Sequence, residues 1–368
     1  MWTDGIKNSF QDADSIGRAL GLPEDEVEKI REVVEHFPVR IPEYYLDLID
    51  KDDPDDPIAK MCVPSEYELS QDGSFDTSGE ESNTKEEGVQ HKYKQTALIL
   101  STNVCAMYCR HCFRRRMVGL TDAELNKQMS AAVSYVKSHP EITNVLITGG
   151  DSLMLPNHII RSYLEEFTKL PNIDLIRFGS RVPVSFPQRI TEDPELIDIF
   201  REYCDKKAIY LVTQFNHPRE LTEEAVKAVR MFRDLGIQVR NQTVLLKGVN
   251  SDPEVLGELL RSLTRNEIVP YYIFQCRPVR GVKGRFQVPL LEGVKIVDAA
   301  KGMQNGIGKG VRYCMSHPLG KIEIIGELEE GKMLFKFHQN KYPEDRSRIF
   351  TVDLDKSSTW LTDELMPE

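Results

Sequence analysis

Six apolar runs punctuate the middle of the chain. TALILST, NVLITGG, DLIRFGS, IYLVTQF, VRNQTVLL and VPYYIFQ begin near residues 96, 144, 174, 209, 239 and 269. Continuous apolarity, with little alternation, is what strands buried on both faces carry, so the runs predict a parallel sheet. Between them the spacing turns helical. TDAELNKQMSAAVSYVKS opens with a threonine cap, Thr121, and has Glu124 three positions later, while TEEAVKAVRMFRDLG closes on Gly236. Strand and helix alternate with a period of about 30 residues. Six such βα units fit either a partial barrel or a doubly wound sheet.

The flanks differ in pattern. From Asp12 to about His36, the spacing of Ile16, Leu20, Leu22, Val27, Ile30 and Val33 predicts a helical N-terminal arm. SQDGSFDTSGEESNTKEEGVQ, over residues 70–90, is polar and aperiodic and reads as a linker or mobile lid. Downstream, KIEIIGELEEGKMLFKF predicts two strands around a Glu330-Gly331-Lys332 turn, outside the repeat. The expected organisation is an arm and linker over 1–90, a barrel over 91–305 and a C-terminal segment over 306–368.

Composition narrows the class. The chain has 368 residues, 40% hydrophobic and 29% charged, enough for one large α/β domain with extensions or two ordinary domains. No window approaches the run of about 18 apolar residues that a membrane span requires. MWTDGIKNSFQD lacks a basic n-region and an apolar h-region, so a cytoplasmic location is expected. A net charge of -11 disfavours a general nucleic-acid surface, although a local basic cluster can still attract an anionic ligand. Seven cysteines is an odd count, and three are clustered, which argues for a metal or redox site over a disulfide framework.

That cluster is CAMYCRHCFRRR, residues 105–116, with Cys105, Cys109 and Cys112 spaced C-x3-C-x2-C just after the first predicted strand. Loops at strand ends are where α/β folds carry their chemistry. Thiolates at this density favour zinc or an iron–sulfur cluster. A closed zinc site wants a fourth ligand, and His111, adjacent to Cys112, is poorly placed to supply it. Three cysteines on a four-iron cluster leave one iron open to a substrate or cofactor. Ligand chemistry alone favours the open cluster, with zinc and free thiols as alternatives.

The motif resembles that of the radical S-adenosylmethionine (SAM) superfamily, and the longer CRHCFRRRMVG is similar to its lysine 2,3-aminomutase branch. DPDDPIAKMCVPSEYEL, LITGGDSLML, IRFGSRVPV, PQRIT, FNHPRELTEEA, NQTVLLKGVN and PYYIFQC resemble that branch in its order, over roughly residues 40 to 321. The resemblance implies an α/β fold: a partial (βα)6 TIM-like radical SAM barrel with a helical N-terminal arm and a C-terminal β-hairpin extension. It implies a [4Fe-4S] cluster on Cys105, Cys109 and Cys112, SAM (S-adenosyl-L-methionine) on the open iron, and pyridoxal 5'-phosphate (PLP). The implied activity is an isomerase that moves an amino group from the α to the β carbon of an amino acid. Such a migration breaks an unactivated C–H bond, beyond the reach of any side-chain base. Cofactor-derived radicals are the practical route.

By the same resemblance, Gly149, Gly150 and Asp151 in TGGD contact SAM, and Arg181, Gln214, His217 and Gln242 stand at or beyond later strand ends on the active face. Taken singly, each is an ordinary turn or barrel-end polar group. Arg114 matches the arginine that grips the substrate carboxylate, a role suited to a planar guanidinium fork. Arg115 and Arg116 either bind acidic neighbours or form a solvated basic run. Lys92 sits where the family usually has an arginine on the PLP phosphate, and Thr96 replaces a second one. Lys321, in CMSHPLGKIEI, is the candidate for PLP attachment, although three glycines of the family's stretch are missing; alone, a Gly-Lys before a strand is usually a turn.

In lysine-specific members two aspartates hold the distal ammonium of the substrate, and Arg277 and Cys314 stand in their places. A buried arginine facing an ammonium adds repulsion to the lost pair. A substrate other than lysine is therefore expected, and Arg277 suits glutamate or aspartate; its plainer role is a structural ion pair at the barrel rim. No cysteine follows Cys314, so any homo-oligomer would form without the zinc that some members use. The expected partners are a small amino acid and an electron donor such as flavodoxin or ferredoxin, with neither nucleic acid nor membrane. Two competing readings remain: a radical SAM enzyme of this fold without PLP, and an RNA-contacting metal module, which the acidic whole and the buried-strand repeat disfavour.

Overall fold

The structure is a computed structural model and describes residues 2–366. Twelve strands form one open sheet in chain order. β1 (Thr84–Glu86) and β2 (Val89–Tyr93) lead into six parallel strands. These are β3 (Thr96–Thr102), β4 (Asn144–Gly149), β5 (Leu175–Gly179), β6 (Ala208–Thr213), β7 (Gln238–Leu245) and β8 (Val269–Gln275). They coincide with the six apolar runs, and the sheet curves as a partial barrel that does not close.

Helices Met129–Ser138, Asn157–Thr168, Pro194–Cys204, Glu223–Arg233 and Pro253–Arg265 join successive strands. Their starts follow from local chemistry: Asp193 and Thr222 accept from the Leu196 and Ala225 N–H groups, both at 3.1 Å. Pro194 and Pro253 stand in the first helical turn, where a missing N–H costs nothing. The helices bury their apolar faces on the sheet; Phe178 of β5 meets Phe200 at 5.1 Å, and Phe200 meets Phe232 at 5.0 Å.

The C-terminal extension is larger than a hairpin. β9 (Arg312–His317) adds in parallel to β8, and β10 (Gly320–Glu329), β11 (Lys332–Asn340) and β12 (Ile349–Asp353) follow antiparallel. The expected turn joins β10 to β11, with Gly331 at φ 77°. These strands continue the barrel wall and carry Lys321 to it.

The N-terminal arm is helical as expected, broken into two helices, Ala13–Leu20 and Glu24–His36, because Gly21 takes a left-handed φ of 69° and Pro23 cannot continue the first. Two local expectations differ from the structure. The helix expected from Thr121 begins at Met129. Glu124, the supposed capping residue, is drawn instead to Arg116, and Asn126 donates its N–H to Leu100 O at 2.7 Å. The polar stretch 70–90 is packed, not open: the Asp76 carboxylate accepts from the N–H groups of Ser78, Glu80 and Glu81, and Glu80 and Asn83 are buried. Among the described residues, no helix is long and apolar enough to cross a membrane.

Candidate active site

A cavity of about 400 Å³ runs down the inside of the barrel, from the strand ends at Gly149, Gly179 and Thr213 to Thr96 and Arg177 lower in the wall. Cys105, Cys109, Cys112, Arg114, Gly149, Gly150, Asp151, Arg181, Gln214, Gln242, Arg277, Lys92 and Lys321 all line it. His217 does not. Its ring Nδ1 accepts from the Arg219 N–H at 3.3 Å and caps the turn Pro218–Glu220, so it is placed to shape that turn.

The three cysteines are free thiols on the loop after β3. Its backbone is fixed from both sides: Asp151 N–H donates to Val104 O at 2.8 Å, and Tyr108 and Arg110 N–H donate to Arg40 O and Met61 O at 3.1 and 2.9 Å. The glycines at the end of β4 allow this approach. A Cβ on Gly149, at φ +124°, would lie 2.3 Å from Thr102 O, and one on Gly150 would lie 2.5 Å from Val104 O. Burial and mutual proximity push the Cys105 thiol up, and burial with Cys109 nearby pushes Cys112 up to about 11. Such thiols are relieved of their protons by a soft metal. Three sulfurs on one loop fit a four-iron cluster with one iron left open.

Asp151 is committed to the scaffold. Its two oxygens accept from Ser180 Oγ and the Arg181 N–H, each at 2.6 Å, and from the N–H groups of Leu153 and Val182. Arg114 is likewise occupied, its Nε and NH2 donating to Glu80 Oε1 at 2.9 and 2.8 Å and its NH1 to Thr148 Oγ1 at 3.3 Å. Arg116 takes the other Glu80 oxygen at 2.7 Å. Burial works to raise the Glu80 carboxyl, but Arg114 and Arg116 outweigh it and hold the group at about 2. Arg115, stacked on Phe37, pairs with buried Glu68 at 2.6 Å, as does Arg110. The arginine run is thus internally neutralised.

Arg277 differs. Its NH1 donates to Ser78 Oγ at 2.9 Å, it lies 3.9 Å above the Phe113 ring, and among the described residues it has no carboxylate partner. Burial lowers its pKa to about 10. Lys92 donates to Ser78 O at 3.1 Å and His317 O at 2.5 Å, and burial, aided by Arg277, lowers it to about 7. Lys321 lies 4.0 Å above the Tyr272 ring, and burial lowers its amine to about 8. Six cationic side chains line the cavity, Lys92, Arg114, Arg177, Arg181, Arg277 and Lys321, against two carboxylates, Glu80 and Asp151.

Sequence reasoning overlooked Glu80, Ser78 and Phe113. The one clue was the excess of arginines at 114–116, which needed acidic partners from somewhere.

The signature of the Radical SAM superfamily matches residues 99–260. An L-lysine 2,3-aminomutase from Acetoanaerobium sticklandii is 36% identical over 317 residues, covering 85% of this chain and 74% of the relative. The chain belongs to the lysine 2,3-aminomutase family of radical SAM enzymes. An Aquifex aeolicus protein given the L-lysine 2,3-aminomutase name provisionally is 39% identical, over 93% of this chain and 91% of its own. A glutamate 2,3-aminomutase from Clostridioides difficile is 35% identical, over 86% and 74%. The family's activity is isomerisation, and its radical SAM domain brings a [4Fe-4S] cluster and SAM. The partial barrel implied by the family resemblance is the fold observed.

Proposed function

We propose that the protein is a PLP-dependent amino acid 2,3-aminomutase whose substrate is acidic, glutamate before aspartate. The observation that carries this reading is the charge balance of the cavity. Both carboxylates there are consumed, Glu80 by two arginines and Asp151 by hydroxyl and backbone donors, so no carboxylate among the described lining residues is left to hold the ammonium of a lysine side chain. Arg277 is a half-buried cation with no acid within ion-pair distance among the described residues, the converse requirement. A carboxylate-bearing substrate supplies that acid.

When bound, the cluster with SAM supplies a radical that takes hydrogen from an unactivated carbon, and PLP carries the migrating amino group. The chain's own groups bind and orient. Arg114 and Arg277 both stack on Phe113, at 4.7 and 3.9 Å; Arg277 would take one substrate carboxylate, while Arg114, already bonded to Glu80 and Thr148, would turn only its remaining N–H groups to the other. Lys321 presents a part-neutral amine suited to an aldehyde cofactor. Lys92 fits the cofactor phosphate together with Gln90, two residues earlier on the same face of β2, whose buried Nε2 has no hydrogen-bond partner. Gly149 and Gly150 hold the cluster loop against β4, and Gln214, just past β6, and Gln242, which lies inside β7 and not at its end, offer amides to SAM.

Product chemistry separates the two acids. Moving the amino group of aspartate to its β carbon regenerates aspartate, because both inner carbons carry a carboxylate. Glutamate yields a new compound, 3-aminoglutarate. This reading also takes the enzyme to be cytoplasmic, to accept electrons from a flavodoxin- or ferredoxin-type donor, and to be free to self-associate without zinc. The test is an anaerobic incubation of reconstituted protein with reductant, SAM, PLP and each amino acid, analysed by mass spectrometry. 3-Aminoglutarate from glutamate is expected, and β-lysine as the sole product would refute the role given to Arg277.

A further inference from the structure

Cys109 is tied to the N-terminal arm by a buried chain of charged groups. Arg181 NH1 lies 2.9 Å from Cys109 Sγ, while its NH2 donates to Glu220 and, at 3.1 Å, to Tyr45 Oη. Glu220 is fully buried and also accepts from the Tyr45 hydroxyl at 2.5 Å and from the Asn216 and His217 N–H groups at 2.6 and 3.0 Å. One guanidinium therefore touches a cluster sulfur at one end and a carboxylate at the other. Tyr45 comes from the arm and Glu220 from the turn after β6, 175 residues later in the chain.

We propose that Arg181 and Glu220 are a matched pair that sets the reduction potential of the cluster at Cys109, with Arg181 positioned by Glu220 and Tyr45. The proposal rests on the family's cluster and not on the choice of substrate. Reduction adds negative charge to the cluster and its thiolates. A cation donating to a ligand sulfur favours the reduced state and raises the potential; a carboxylate behind that cation opposes it. Burial makes both effects larger than they would be in water. The pair gives the sulfur a strong donor while holding the potential low enough to reduce a sulfonium compound.

The test is a redox titration of the anaerobically reconstituted full chain without SAM, read by electron paramagnetic resonance. Arg181→Lys keeps a positive charge opposite Glu220, so the buried pair survives, but a single ammonium lacks a fork to reach both partners. The ratio of reduced to oxidised cluster at a fixed potential is expected to fall about tenfold, equivalent to about 59 mV for one electron. Glu220→Gln is expected to shift it the other way. Opposite signs are a result that a purely structural pair would not give. A wild-type midpoint in Arg181→Lys, or the same direction in both variants, overturns the proposal. If Glu220→Gln assembles no cluster, Arg181→Lys decides alone. Wild-type protein without any four-iron signal would defeat the reading of the cysteines as well, which separates that failure from this one.

Discussion

Replacing Arg277 by glutamine removes a cavity guanidinium that, like Arg177, has no ion-paired acid among the described residues. In the ligand-free protein it makes a single hydrogen bond, to Ser78, and no ion pair among the described residues. An acidic substrate would complete it with two parallel charge-assisted bonds, each worth roughly 1.5–3 kcal/mol, of which glutamine keeps at most one neutral counterpart. The net loss is roughly 2–4 kcal/mol, about 30- to 700-fold in kcat/KM for glutamate at 1.4 kcal/mol per tenfold. If the contact is made equally in ground and transition states, the loss falls on KM and spares kcat. Stability responds differently: burying an unpaired guanidinium is unfavourable, so Arg277→Gln should leave Tm unchanged or raise it. Steady-state kinetics with a thermal melt gives both readings. A lower Tm with unaltered kcat/KM would mean that Arg277 is a structural rim residue, and the acidic-substrate reasoning would fail.

Two further outcomes follow from other buried groups. The Lys321 amine, lowered to about 8 by burial, should be trapped by PLP and borohydride with a yield that rises as the pH passes upward through about 8, well below the ordinary lysine range; peptide mass mapping locates the adduct, and a midpoint near 10.5 would contradict the burial argument. Glu68→Gln should destabilise the protein by about 3–5 kcal/mol in chemical denaturation at neutral pH, because it leaves Arg110 and Arg115 buried without their shared acid; a loss under about 1 kcal/mol would show that pair to be dispensable.

The barrel was legible in the sequence because strands covered on both faces write unbroken apolar runs, and a loop with three soft donors in eight positions has few uses. What stayed hidden depends on partners distant in the chain. Thr121 and Glu124 have the form of a helix start, but Arg116 claims the glutamate and the helix begins eight residues later at Met129. Residues 70–90 look like solvent-exposed chain, since nothing local announces that Glu80 and Ser78 are buried by Arg114, Arg116 and Arg277. β9 and β12 are only six and five residues long, too short to stand out, and pairing with neighbours defines them. His217 has the composition of a ligand and the geometry of a turn cap.

The central claim is that this cluster-bearing cavity draws hydrogen from the carbon next to the α carbon of an acidic amino acid. Its most direct measurement uses glutamate deuterated at carbon 3, reconstituted enzyme, SAM, PLP and reductant, with mass analysis of the 5'-deoxyadenosine formed. Deuterium in that product is the predicted result. Deoxyadenosine that stays unlabelled with glutamate yet takes up deuterium from lysine labelled at the same carbon would contradict the account.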